Sequence, residues 1–275
     1  MSKTTIADRN LWAIVLGVSS GFGKEVALEL AKSGYNIYGV HLDTGPAREK
    51  AEQFRQTLEA IGVTAKFFNA NAADDTKRAQ IIEEINKDRQ SDPHHVLRVV
   101  IHSLAFGAIG PFFDEDTSKM LKKKQIEMTM DVMANSLIYW VQDLFIAKLL
   151  AENSRIFAMT SIGSERAILS YGAVSAAKAA LEAYCRQIAV ELAPYKITAN
   201  AIMAGLTDTP AAAKIPGFEK MLRHAREHNP FQRNTVPQDV AKAISLLVDE
   251  KFYWITGATI KVDGGESILN FIESV

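Results

Sequence analysis

The stretch LWAIVLGVSSGFGKEVALELAKSG, residues 11–34, decides how the rest of the chain is read. Leu11 to Val18 is apolar almost throughout, the pattern of a strand buried on both faces. From about Gly23 to Ser33 the apolar residues recur at helical spacing, and Gly34 supplies the stop. Between them lies GVSSGFG, with glycines at 17, 21 and 23. Glycine permits a tight turn and lets the backbone approach a pyrophosphate, whose charge the following helix N-terminus favours. A plain strand-to-helix turn would also carry glycine. The two readings separate on whether this unit stands alone or opens a repeating chain.

It repeats. NIYGV (36–40) reads as a second strand, followed by a charged helix near 47–60; TAKFF (64–68) and VLRVVIHS (96–103) read as a third and fourth. The pattern then predicts a long helix over roughly 119–150, the strand SRIFAMTS (154–161) and a helix from Tyr171 to about Ala193. KITANAIM (196–203) and ATIKVDG (258–264) close the series. Alternating strands and amphipathic helices imply a doubly wound α/β fold: one Rossmann-type parallel sheet with helices on both faces. No Pro/Gly/Ser-rich linker interrupts the 275 residues, so a single domain over 1–275 is expected. The main irregular stretch, about 205–229, follows a strand end, where open α/β sheets bind ligands, and is a candidate substrate lid.

Bulk composition narrows the partners. A formal net charge of −1 leaves no basic excess to displace counterions from phosphates, which argues against nucleic acid. Lys122 to Lys124 form the one dense basic cluster and read as a solvated helix face. The lone cysteine, Cys185, can form no intramolecular disulfide and no Cys-based zinc site; its helical context suggests a small buried apolar residue, and no metal site is expected. MSKTTIADRN at the N-terminus has no apolar signal core, and no apolar run nears the ~18–20 residues that span a bilayer. A cytoplasmic protein away from membranes is the expectation.

The chemistry concentrates in TSIGSERAILSYGAVSAAKAALEAY (160–184). Tyr171 and Lys178 lie seven positions apart, close to two helical turns, which sets both side chains on one face. A lysine near a tyrosine favours the phenolate and makes the hydroxyl a better proton donor and oxyanion stabiliser.

The Gly-x-x-x-Gly-x-Gly string at 17–23 resembles the nicotinamide-binding loop of the short-chain dehydrogenases. Most of that family spaces its catalytic pair Tyr-x-x-x-Lys, but the fourth residue after Tyr171 is Ser175. The wider Tyr-x6-Lys spacing is similar to the divergent branch, the enoyl-acyl-carrier-protein reductases. IHSLAFG (101–107), SERAILSY (164–171), FEKMLRHAREHNPFQR (218–233) and KVDGGESIL (261–269) resemble segments of the same branch, so the likeness runs from about 11 to 270.

The resemblance implies NADH or NADPH held by Gly17, Ser19, Ser20, Gly21, Phe22 and Gly23 in the loop. It extends the site through Asn71 and Ala72, Ser103, Leu104 and Ala105, then Lys178, Gly205, Thr207 and Thr209. An acidic residue ending the second strand would take the ribose hydroxyls and disfavour a 2′-phosphate. The family's position for it is His41; Asp43 lies two residues later, Arg48 could instead meet a phosphate, and Ser20 stands where many NADP-using relatives carry arginine. Both cofactors stay open. Asn71 replaces an adenine-contacting aspartate and reads equally well as a loop cap.

Hydride would then pass to the β-carbon of a trans-2-enoyl thioester, with Tyr171 on the thioester carbonyl and Lys178 on the ribose. The acyl chain, possibly on acyl carrier protein, would run along Phe106, Ile109 and the Leu206–Met221 excursion. Two residues depart from the branch. Ser161, ten before the tyrosine, replaces a second tyrosine and matches the serine that carbonyl-reducing members set on the substrate oxygen. Met133 replaces the usual catalytic asparagine. Ser161 thus keeps open a 3-oxoacyl-thioester or other carbonyl reductase. A non-catalytic nicotinamide sensor is the third reading, and the intact Tyr171 and Lys178 speak against it. The family also implies a homotetramer, for which the apolar stretches 139–150 and 181–193 would be natural interfaces, although intrachain packing explains them equally well.

Overall fold

The computed structural model describes residues 10–269; the N-terminal segment read for a signal core lies almost wholly outside them. The strands are β1 Asn10–Leu16, β2 Asn36–His41, β3 Ala65–Asn69, β4 His95–His102, β5 Leu150–Ser161, β6 Thr198–Ala204 and β7 Thr259–Val262. They form one parallel sheet in the order β3-β2-β1-β4-β5-β6-β7. The order reverses between β1 and β4, and ligands in such sheets bind beyond the strand ends at that switch.

The sheet explains why residues 11–18 read as continuously apolar. Trp12, Ile14 and Leu16 pack on one face against Trp140, Leu144 and Leu181, while Ala13 and Val15 pack on the other against Val26, Leu30, Val240 and Ile244. Each Val, Leu or Ile among them, fully buried, is worth roughly 1.5–3 kcal/mol. Cys185 belongs to the first of these cores, and burial pushes its thiol up to about 12, an inert packing role.

The helices are α1 Gly21–Lys32, α2 Pro46–Ala60, α3 Asp75–Ser91, α4 Lys123–Met130, α5 Ser136–Ile146, α6 Gly172–Leu192, α7 Phe218–His228 and α8 Pro237–Leu247. Pro46 and Pro237 open α2 and α8, where the missing N–H costs nothing. Asp74 caps α3 by accepting from the Lys77 amide at 2.8 Å.

Three expectations need adjusting. The single helix over 119–150 is two helices joined by a π-helical turn at Asp131–Asn135, and it ends at Ile146 because β5 begins at Leu150. The excursion at 205–229 is not wholly irregular, since it contains α7. Helices α3 and α8 complete the pattern where the sequence reading marked none. Lys122 to Lys124 are exposed, with Lys123 paired to Glu127 at 3.4 Å, a solvated face as expected. Among the described residues no helix is long and apolar enough to cross a membrane, and no group of His, Cys, Asp and Glu could hold a metal ion.

Candidate active site

The glycine loop is squeezed from both sides. Gly17 has φ 90° and donates its amide to the Val40 carbonyl at 2.8 Å; a Cβ there would run into the Ser103 carbonyl. A Cβ at Gly23 would collide with the Gly17 carbonyl. Loop, helix and β4 can approach this closely only with glycine at both places. Gly23 therefore packs beneath the loop, whereas Gly17, Ser19, Ser20, Gly21 and Phe22 line a cleft of about 290 Å³ at the start of α1 that Gly23 does not reach.

The same cleft takes in His41, Asp43, Asn71, Ala72, Ser103, Leu104, Ala105 and Thr209. His41, buried at the end of β2, places Nδ1 2.8 Å from an Asp43 carboxylate oxygen. Asn69 fixes Asp43 by its backbone, accepting from the amide at 3.0 Å and donating to the carbonyl at 2.8 Å. A carboxylate therefore faces the cleft after all, two residues beyond the expected position. Arg48 is exposed and lies outside the cleft lining. Asn71 both lines the cleft and caps its own loop, accepting from the Ala73 amide at 3.0 Å.

A second cavity of about 680 Å³ is continuous with the first through Phe22, Ser103, Leu104, Ala105, Phe106 and Thr209. It brings together Ser161 at the end of β5, Tyr171 at the residue preceding α6, and Lys178 two turns into that helix. Gly205, Leu206 and Thr207 line it from the end of β6, with Ile109 and Met221 among the apolar walls. Thr207 is buried and donates to the Gly205 carbonyl at 2.9 Å. Met133 faces the cavity from the π-helical turn, and a Cβ at Gly107 would meet its sulfur at 2.6 Å. Every other site residue read from the sequence falls on one of the two cavities.

Burial governs the electrostatics. Lys178 is 6% exposed; desolvation brings its ammonium down to about 8 against the opposing pull of Glu182. Its Nζ donates to the Met159 carbonyl at 2.7 Å, which uses one of three N–H groups. Burial raises the Tyr171 phenol above its ordinary value, and the neighbouring Ser161 hydroxyl works against that rise. The Lys178 charge also bears on His102, which is held down to about 3 by burial first and by Lys178 second. Gly163 lets the tyrosine ring lie flat on its backbone, since a Cβ there would meet ring carbon Cε1 at 2.9 Å.

Two groups escaped the sequence reading. His102, fully buried, contacts the Ser136 hydroxyl at 2.8 Å behind Lys178; IHSLAFG carried it, but only as a family string. Glu266 enters the second cavity from the C-terminal turn and accepts from the Leu206 amide through both oxygens, at 3.2 and 3.1 Å. The signal was an acidic residue in KVDGGESIL, a stretch read only as a family string.

Residues 17–267 match the family model described as "Enoyl-(Acyl carrier protein) reductase". Among curated proteins, the chain is 32% identical over 168 residues to the NADH-dependent enoyl-(acyl-carrier-protein) reductase of Escherichia coli, covering 61% of this chain and 63% of that enzyme's length. It is 29% identical over 257 residues to the NADPH-dependent enzyme of Staphylococcus aureus, covering 92% and 94%. The solved structure of the Aquifex aeolicus enoyl-(acyl-carrier-protein) reductase superposes with a TM-score of 0.82 at 22% identity, over 96% of this chain and 99% of that one, a likeness of fold. With 251 consecutive positions (267 − 17 + 1) inside the family match and the Tyr171–Lys178 pair on its cleft, the chain belongs to the enoyl-(acyl carrier protein) reductase family.

Proposed function

We propose that this chain, a single domain, uses NADH or NADPH to reduce the trans-2 double bond of an enoyl thioester. The observation that carries the reading is the convergence of Tyr171, Lys178 and Ser161 on a cavity continuous with the glycine-loop cleft. The residues present suit a dinucleotide: the N-terminus of α1 opens directly behind the loop, and the Ser20 side chain is not spent on capping that helix. When bound there, the nicotinamide supplies the hydride.

The chain's own groups supply the rest. Tyr171 donates its phenolic hydrogen to the thioester carbonyl as enolate charge develops, in a site whose low polarity strengthens that bond. The Ser161 hydroxyl, buried in the same cavity, opposes the rise that burial imposes on the phenol. The two N–H groups of Lys178 not given to Met159 meet the ribose hydroxyls. Phe106, Leu206 and Met221 offer apolar surface to the acyl chain. Asp43, at the cleft, favours the ribose hydroxyls of NADH over the 2′-phosphate of NADPH.

The reading extends to an acyl chain carried on acyl carrier protein and to a cytoplasmic homotetramer. Exposed Ile146 on α5 and Val190 on α6 support the assembly, although Trp140, Val141, Leu144 and Ile188 of those helices are spent on the core. Light scattering on the purified chain tests it.

A specific observation favours a second reading: the Ser161 hydroxyl is buried beside the phenol and has no hydrogen-bond partner among the described residues, so it is available to a substrate carbonyl as a carbonyl-reducing pair would require. Nicotinamide absorbance, followed with a trans-2-enoyl thioester and separately with a 3-oxoacyl thioester, each with both cofactors, decides between them. Consumption with the enoyl substrate alone is expected. Consumption only with the 3-oxo substrate would overturn the first reading.

A further inference from the structure

At the opposite end of the sheet from the cleft, two arginines are buried side by side. Arg155 on β5 is 1% exposed and Arg98 on β4 is 4% exposed. Arg98 donates to the Glu152 carbonyl at 3.2 Å and to Glu250 at 3.4 Å. The Arg155 guanidinium gives Nη1 to the Asn153 carbonyl at 2.9 Å, but Nε and Nη2, the two nitrogens that make a side-on fork, meet no acceptor among the described residues. Thr198 of β6 lies directly across in register from Arg155, so both side chains leave the sheet on one face. Its hydroxyl is also buried without a partner. Tyr35 closes the group, its phenol raised by burial and drawn back by Arg98.

Charge and donor count point the same way. Two guanidiniums are withdrawn from water, while the carboxylates whose charge bears on Arg155 both lie toward solvent: Glu250, half-exposed and engaged with Arg98, and the exposed Asp249. A buried charge without full compensation is costly to the fold. Arg155 remains charged at any physiological pH, since a guanidinium does not titrate there, although burial and Arg98 both lower its affinity for the proton. The unmet groups are an N–H fork and a hydroxyl, a set short of acceptors. A water would bring hydrogens that need acceptors and would leave the charge as it stands. A small anion satisfies the donors and neutralises the charge together.

We propose that Arg155 and Thr198, with Arg98 behind them, form a structural site for a small monovalent inorganic anion. The site lies under the turn at Glu250–Phe252, joins β5, β6 and the segment that follows α8, and is independent of the reductase reading. Its occupant stabilises the fold and takes no part in turnover.

The test uses the full chain. Thermal unfolding is followed as chloride replaces gluconate at constant ionic strength, and a crystal is soaked in bromide. The midpoint is expected to rise roughly 2–3 °C for each tenfold increase in chloride above the dissociation constant, by mass action on the folded state. An anomalous bromide peak is expected within hydrogen-bonding distance of Arg155 Nε and Thr198 Oγ1. Thr198→Val keeps the shape of the side chain and removes one donor, so the chloride response should move to higher concentration while turnover stays unchanged. Arg155→Met should abolish the response. If Arg155→Met fails to fold, Thr198→Val and the bromide map still decide. Equal midpoints in chloride and gluconate, or a map that places only water or one of the chain's own carboxylates on Arg155, would overturn the proposal.

Discussion

Lys178 is placed so that its proton is held weakly. Desolvation brings it down to about 8, so the ammonium is present below that pH and lost above it. If the charge on Lys178 holds the cofactor, kcat/KM for the cofactor should be flat below about pH 8 and fall above it; a flat profile through that range would remove the role. Tyr171→Phe deletes the proposed oxyanion donor without touching the lysine. By analogy with the loss of one oxyanion-hole donor, turnover should drop about 10²–10³-fold, with cofactor affinity by fluorescence titration unchanged. Both residues were legible because seven positions along a helix return to one face, whatever surrounds them. Their electrostatics were not legible, because spacing carries no information about burial: nothing in a seven-residue interval tells that desolvation brings Lys178 down to about 8 or that its charge bears on a buried His102. Asp43 was legible as a candidate two residues past the expected position, but not its fixing by His41 and by Asn69, 26 residues away in sequence. Asp43→Ser should shift the NADH-to-NADPH preference toward NADPH, and comparing kcat/KM for the two cofactors checks it. An unchanged ratio would mean the carboxylate does not meet the ribose.

Strands and helices with a single period were legible from 11–34 onward, because the buried run of β1 and the spacing of α1 each follow from which face meets the core. The break at Asp131–Asn135 was not. A π-helical turn adds one residue without changing the apolar rhythm enough to read, yet it sets Met133 over Gly107 and aims Ser136 at His102. The substrate excursion was legible as a departure from the pattern but not as an anchored one. Its anchor is Glu266, reached from the far end of the chain, and contacts 60 residues apart leave no local trace. Burial raises the Glu266 carboxyl, with the Leu206 amide as the largest opposing influence. Removing a charge-assisted bond of roughly 1.5–3 kcal/mol should loosen the excursion. Glu266→Ala is therefore expected to raise KM for the acyl substrate about tenfold with cofactor KM unchanged, and Glu266→Gln, which keeps an acceptor, should recover most of it. Equal behaviour of the two variants would show that the bond does not position the loop.

For the molecule as a whole, β4 carries a buried histidine at each end. His95 begins the strand in a stack with Trp12, and its ring reaches the Tyr38 hydroxyl at 3.0 Å; His102 ends it behind the active site. Desolvation is the largest influence on both and lowers both, His102 to about 3. The unfolded chain therefore takes up protons at its ordinary value near 6.5 while the folded chain does not. Stability contributed by the two rings is present above that value and is lost as pH falls below it, toward about 3 for His102. The loss approaches about 1.4 kcal/mol per pH unit for each proton that only the unfolded chain binds. Between about pH 6.5 and 5 these rings act before the bulk of the carboxylates, whose unperturbed values lie near 4. Glu266, raised by burial, has the opposite sign: it contributes stability in acid that is lost as pH rises through its folded value, and so opposes part of the histidine effect. Urea midpoints taken across that window should fall with decreasing pH. In His102→Gln, which retains a hydrogen-bonding group toward Ser136, the descent should be shallower by one proton's share. A midpoint constant from 6.5 to 5, or a variant as acid-labile as the parent, would show that His102 becomes protonated within the fold and that the core around β4 admits water.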